Sequence, residues 1–173
     1  MADSLGPNAV PSVGARVGLI SDTHGHLDER VRTVFADAGP LAAIVHAGDI
    51  GSDPQVLWEL EAIAPVTAVL GNCDYPLPGF DLAVVARTTV AGARILVIHD
   101  LGDLGPMPAG IQVVVRGHSH APSVQSHGDV LVVNPGSASQ RRRMPSRSVA
   151  LLDIAADGIP SARIIMLDEV ARS

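Results

Sequence analysis

Five short aliphatic runs, each closed by glycine or a polar residue, constrain this chain more than any other feature of its sequence. They are Arg16 to Ser21, Ala43 to Ala47, Val66 to Leu70, Arg94 to Ile98 and Ile111 to Val115. Runs of this length, rich in Val, Ile and Leu and ended by Gly, Asp, Asn or His, are how buried strands look in sequence. Aromatic residues make up only 2% of the chain while hydrophobic ones reach 47%, so branched aliphatics have to fill the core.

Between the first three runs the period changes. Asp28 to Ala38 places Val31, Val34 and Phe35 on one helical face. A second helix is expected from Pro54 to about Ile63, capped by Ser52 or Asp53, with Val56, Leu57, Leu60 and Ile63 inward. Strand alternating with helix implies right-handed parallel crossovers. Further on, strand-like runs follow closely at Leu82 to Val90, Val124 to His127, Val130 to Val133, Ser148 to Ile154 and Ala162 to Leu167. Gly92, Gly128 and Gly158 mark hairpin turns between them, so much of this half is expected to be antiparallel. The fold class is α/β, a two-sheet mixed β-sandwich flanked by helices. With 173 residues and no dividing linker, residues 16–173 are expected to form a single domain, and residues 1–15 read as a flexible leader.

Composition narrows the function. The longest apolar runs, such as Val130 to Val133, fall far short of the ~20 residues a membrane-spanning helix needs. Cys73 is the single cysteine, which excludes an internal disulfide and points to a reducing compartment, the cytoplasm. A net charge of −6, with 12 Arg and no Lys, disfavours a stable nucleic-acid partner.

The chemistry-bearing residues fall at the ends of the five runs. Asp22 and His24 follow the first, Asp49 the second, Asn72 the third, His99 the fourth, and His118 with His120 the fifth. Ligands of open α/β sheets bind outside the carboxyl ends of the strands, so these seven are expected to converge on one edge. Two carboxylates, four imidazoles and an amide oxygen suit Mn, Fe, Co, Ni or Zn better than Mg or Ca alone. A bridging carboxylate can serve two ions ~3.5–4 Å apart, the spacing used for in-line displacement at phosphorus.

Asp22-x-His24, Gly48-Asp49, Gly71-Asn72, His99 and Gly117-His118-x-His120 resemble the calcineurin-like metallophosphoesterases, most nearly their small bacterial and archaeal phosphodiesterase branch. The likeness extends to His46-Ala47-Gly48-Asp49, Gly71-Asn72-Cys73-Asp74 and Asn134-Pro135-Gly136-Ser137, roughly residues 16 to 155. It implies an αββα fold and two divalent ions, with Mn first among the candidates. Asp22, His24 and His120 would hold one ion, Asn72, His99 and His118 the other, and Asp49 both. It also implies attack of a metal-bridging hydroxide on phosphorus, with Asp49 and Asn72 in catalytic roles and a small phosphoester as substrate.

Two positions depart from related proteins. Cys73 stands where many members of the wider superfamily have a His proposed to protonate the leaving group; the small branch commonly has this Cys. A thiol of ordinary pKa ~8.5 is poor at that task, so substrates with good leaving groups, such as aryl diesters, are expected. Asp100 stands where the branch usually has Gly, and either orients a ligand His or repels an anionic substrate.

Plainer readings compete for single residues. His46, Asp74 and Asp100 are read as supports behind the ligands, and His26 and His127 as solvated. Asn134 to Ser137 is either a plain turn or a support near the metals. Arg141 to Arg143 with Arg147 form either a solvated face or an anchor for an anion or a neighbouring subunit in a homo-oligomer. A phosphomonoesterase or nucleotide pyrophosphatase on the same site, and a non-catalytic scaffold like the retromer subunit of this fold, remain the alternative functions.

Overall fold

A computed structural model describes residues 13–140, 144 and 146–170. Strands β1 (Val13–Ile20), β2 (Ala43–His46) and β3 (Val66–Ala68) alternate with helices α1 (Glu29–Asp37) and α2 (Gln55–Glu61). Then follow β4 (Val85–Val90), β5 (Ala93–Ile98), β6 (Val113–Val115), β7 (Ser123–His127), β8 (Val130–Asn134), β9 (Ser148–Ala155) and β10 (Pro160–Met166). They form two five-stranded mixed sheets, ordered β10-β9-β1-β2-β3 and β4-β5-β6-β8-β7.

Alternation along each strand builds the layers. Val17 and Leu19 of β1 point between the sheets, where they meet Ile95 and Val97 of β5 and Val113 and Val115 of β6. Ile20 and Ile44 point the other way, onto Val31, Val34 and Phe35 of α1 and Val56, Leu57 and Leu60 of α2. Each such side chain, moved from water to the interior, contributes about 1.5–3 kcal/mol. Gly18 permits the close seat of α1, since a Cβ there would lie 2.9 Å from Phe35 Cζ. On the outer face of the second sheet, Leu101 and Leu104 pack over Leu96, Ile98 and Val114. Both α-helices therefore cover one sheet, and the loop after β5 covers the other.

Several expectations need adjusting. β1 begins at Val13, which pairs with Ala155, so the first sheet reaches into the segment read as a leader; residues 1–12 lie outside the described residues. Ile63 is 38% exposed instead of inward. Pro65 disfavours helical backbone just before it, so α2 ends at Glu61 and Ala64 takes the buried place. Pro54, not Ser52 or Asp53, takes the N-cap position and no side chain caps it; one residue earlier, Asp53 Oδ1 accepts from Gln55 N–H at 2.8 Å. Residues 82–84 precede β4 as a crossover in which Leu70 N–H donates to Ala83 C=O.

The second half is less antiparallel than its hairpins suggest. Gly92, Gly128 and Gly158 do turn with φ of +82°, +59° and +84°. Yet β6 pairs parallel with both β5 and β8. The parallel strands of both sheets thus end along the edge where the polar residues gather. Among the described residues, no helix is long and apolar enough to cross a membrane.

Candidate metal centre

Five of the six non-glycine residues with positive φ among the described residues are Asp22, His24, Asp49, His118 and His120. Backbone of this kind costs energy in L-residues and persists only where the surroundings impose it. Here it turns each side chain back over the end of its strand. The glycines before Asp49, Asn72 and His118 have a separate reason. A Cβ on Gly48 would lie 2.8 Å from His99 Nδ1, one on Gly71 would strike Asp49, and one on Gly117 would strike Ser21 Oγ.

The edge has a buried half and an open half. In the buried half, His120 Nε2 lies 3.0 Å from Asp22 Oδ1, and the His24 and His120 rings are 5.6 Å apart. Asp22, His24 and His120 offer ligand atoms all within 4.8 Å of one another. In the open half, where Asn72 and His118 are exposed and His99 is buried, Asn72 Oδ1 lies 3.1 Å from His99 Nε2 and 2.9 Å from His118 Nδ1, with those two rings 5.3 Å apart. Asp49 stands between, its Oδ1 3.5 Å from His99 Nε2 and its Oδ2 3.9 Å from His24 Nε2. All seven residues named from the strand ends are brought together.

This donor set fits a divalent cation for a reason visible at His99. Its Nδ1 lies 2.7 Å from the Ala47 carbonyl oxygen, which only accepts, so Nδ1 carries the proton. The other ring nitrogen, Nε2, faces Asn72 Oδ1 and Asp49 Oδ1, two oxygens that only accept. Lone pairs aimed at one another repel unless a cation or a proton lies among them. Asp22 Oδ1 is likewise buried and accepts no hydrogen bond.

Electrostatics separates the two carboxylates. Burial pushes the Asp22 carboxyl up to about 6, despite the hydroxyl hydrogen bond from Ser21. Burial opposes the charge on Asp49 too, but the Cys73 backbone N–H, at 2.9 Å, and the His99 imidazole outweigh it, holding Asp49 below the usual carboxylate range. A cation beside Asp22 would remove the penalty that burial imposes.

The expected supports take distinct positions. His46 is buried and pushed down to about 3 by that burial, so it is neutral. Thr23 Oγ1 gives its one proton to Ile50 C=O, so His46 Nε2 donates to Thr23 Oγ1, at 2.9 Å. Asp74 accepts from Gly51 N–H at 2.9 Å and Gly71 N–H at 2.8 Å, tying the Asp49 loop to the Asn72 loop. Asp100 Oδ2 lies 3.6 Å from His118 Nε2. Cys73 is exposed, and its Sγ shares a cluster with His24 and Asp49 that can also hold an ion, a grouping the strand-end pattern does not reveal. His26 and His127 are exposed, as expected.

Asn134 to Ser137 is both a turn and a support. Asn134 Nδ2 donates to Gly117 C=O at 3.0 Å and to Ser119 Oγ at 2.9 Å, while Gly136 N–H donates to Asn134 Oδ1. Ser137 and Ser139 hydroxyls both donate to Asp22 C=O, at 3.0 and 2.9 Å. The sequence singles out neither Ser21, Thr23 nor Ser139, because a hydroxyl residue at a strand end or in a turn carries no distinguishing pattern. Arg147 is no solvated cation: it pairs with Asp168 at 2.6 Å and Asp28 at 2.5 Å. Arg141 to Arg143 lie outside the described residues.

Known proteins resemble this chain to different depths. A protein named as a probable metallophosphoesterase of Methanocaldococcus jannaschii is 30% identical over 161 residues, covering 88% of this chain and 82% of its own length. The phosphodiesterase YfcE of Escherichia coli K12 is 32% identical over 157 residues, covering 77% of this chain and 84% of its own. Vacuolar protein sorting 29 of Cryptosporidium parvum superposes with a TM-score of 0.70 at 19% identity, over 89% of this chain and 98% of its own; that likeness is of fold alone. The pattern described as the calcineurin-like phosphoesterase superfamily domain matches residues 16–157, which takes in every candidate ligand from Asp22 to His120. With most of the chain inside that match and the seven polar residues gathered at one edge, this protein belongs to the calcineurin-like phosphoesterase superfamily.

Proposed function

We propose that this chain is a phosphodiesterase that works with two divalent ions, Mn being the first candidate and Fe, Zn, Ni and Co the others. Asp22, His24 and His120 would hold one ion, Asn72, His99 and His118 the other, and Asp49 would serve both. Bound there, two divalent ions would supply a water nucleophile active at neutral pH and neutralise the phosphoryl oxygens. The protein's part is to fix the donors in place. The strained backbone at five of them and the Asp74 tie between two loops support that role.

The observation that carries the reading is the convergence of His99 Nε2, Asn72 Oδ1 and Asp49 Oδ1, with His99 Nδ1 already engaged by the Ala47 carbonyl. Asn72 and Cys73 are exposed beside it, so a phosphate can reach this half of the centre. The name of the YfcE relative, a phosphodiesterase, favours diesters over monoesters and nucleotide pyrophosphates. A scaffold without catalysis is the competing reading, favoured by the likeness to vacuolar protein sorting 29 and opposed by the complete donor set. The lone thiol of Cys73 suits a reducing compartment, and we assign the protein to the cytoplasm.

The test is hydrolysis of bis-p-nitrophenyl phosphate and p-nitrophenyl phosphate by metal-stripped protein, with and without Mn, for wild type, Asp49→Ala and Asn72→Ala. Mn-dependent diester turnover, abolished in both variants, is expected. Absence of turnover with every divalent metal, in folded protein that binds two ions, would hand the site to the scaffold reading.

A further inference from the structure

The carboxylate of Asp100 is fixed at the mouth of the open half. Its Oδ1 accepts from Gly102 N–H at 2.9 Å and caps the short 3-10 helix Leu101–Asp103. Its Oδ2 lies 3.6 Å from His118 Nε2, and the other ring nitrogen of His118 lies 2.9 Å from Asn72 Oδ1. One imidazole therefore separates this carboxylate from Asn72, one of the exposed groups that an incoming phosphate meets. The Asp100 and His118 side chains are 46% and 47% exposed, so both face the solvent from which substrate arrives. Among the described residues, the basic side chain that Asp100 faces is His118, and no Arg is paired with it.

A fixed negative charge at that place acts differently on the two classes of phosphoester. A diester carries one negative charge, whereas a monoester above its second pKa of ~6 carries close to two. Repulsion scales with the product of charges, so the monoester is penalised twice as much in free energy. We propose that Asp100 is a specificity-determining residue that biases this centre toward monoanionic phosphodiesters and against dianionic phosphomonoesters. The proposal rests on the phosphoesterase reading above and deepens it.

The test uses the Mn-loaded full chain at pH 8, with inorganic phosphate as the dianion and diphenyl phosphate as the monoanion. Binding is measured by calorimetry and bound Mn is counted in the same samples. At exposed positions each charge pair is worth about threefold in affinity. Asp100→Asn keeps an acceptor for Gly102 N–H and is expected to tighten diphenyl phosphate about threefold and phosphate about tenfold. Asp100→Glu retains the wild-type preference, and the difference between wild type and Asp100→Asn shrinks in 0.5 M salt as the charges are screened. Equal tightening of both anions, no change in either, or loss of bound Mn in Asp100→Asn would overturn the proposal; the last would make Asp100 a support for His118 instead. Turnover of the two nitrophenyl esters keeps the two readings apart: no diester hydrolysis sinks the phosphodiesterase assignment, while the anion-binding ratio still decides the role of Asp100.

Discussion

Asp22 and His120 have side chains 0% and 2% exposed, whereas Asp100 and His118, at the other end of the same edge, are 46% and 47% exposed. The residue types are the same, a carboxylate facing an imidazole, but the surroundings are not. Hydroxyls of Ser21, Ser137 and Ser139 fix Asp22 from side chain and backbone, and burial raises its pKa. Among the described residues, the side chains of the open pair are held by the Gly102 N–H and the Asn72 amide. A buried donor is part of the fold's packing, so altering it disturbs stability as well as metal binding. An open donor can be altered with less structural cost, and the effect falls on metal and substrate.

The largest effect is expected where the halves meet. Asp49→Asn should lower diester turnover by ~10³-fold or more, equivalent to ~4 kcal/mol in the barrier, and reduce bound metal below that of either single-half variant, measured by metal analysis beside initial rates. Next, Asp74→Asn should lower turnover ~10–100-fold by freeing the Asp49 and Asn72 loops; unchanged rates would show that those loops hold their places without the carboxylate.

Stability then separates the two halves. His120→Ala should cost the metal-free protein roughly 2 kcal/mol in urea unfolding, through a cavity beside a buried carboxylate, while His118→Ala stays within about 0.5 kcal/mol. Equal losses would remove the distinction between them. The smallest effect is a control away from both halves. Asp28 is opposed by burial but held below its ordinary pKa by the Arg30 backbone N–H and by Arg147. A lowered carboxyl pKa stabilises the fold above the unfolded value of ~3.9, and that contribution is lost as pH falls further through the folded value. Asp28→Asn should therefore cost about 1 kcal/mol at pH 7 and less at pH 3, with no change in metal content.

Much of this edge was legible in the sequence because strand ends are local features. A run such as Arg16 to Ser21 followed by Asp22-x-His24 reports its own end whatever it pairs with. The inward faces of α1 and most of α2 were legible for the same reason, since helical period is a local property. Ile63 was misplaced because the influence of Pro65 outweighed the period. Pairing was harder to read: the hairpin glycines announced antiparallel neighbours, but the parallel pairing of β6 with β5 and β8 has no such signal.

Local pattern alone set the kinds of donor, their order, and the single edge on which parallel strands deliver them. Long-range packing set which imidazoles pair, that Asp100 faces His118, and that Ser137 supports Asp22 across 115 positions of chain. The physical reason is range. Strand and helix periods follow from neighbouring residues, whereas contacts between loops depend on how two sheets stack and how much water that stacking leaves at each donor.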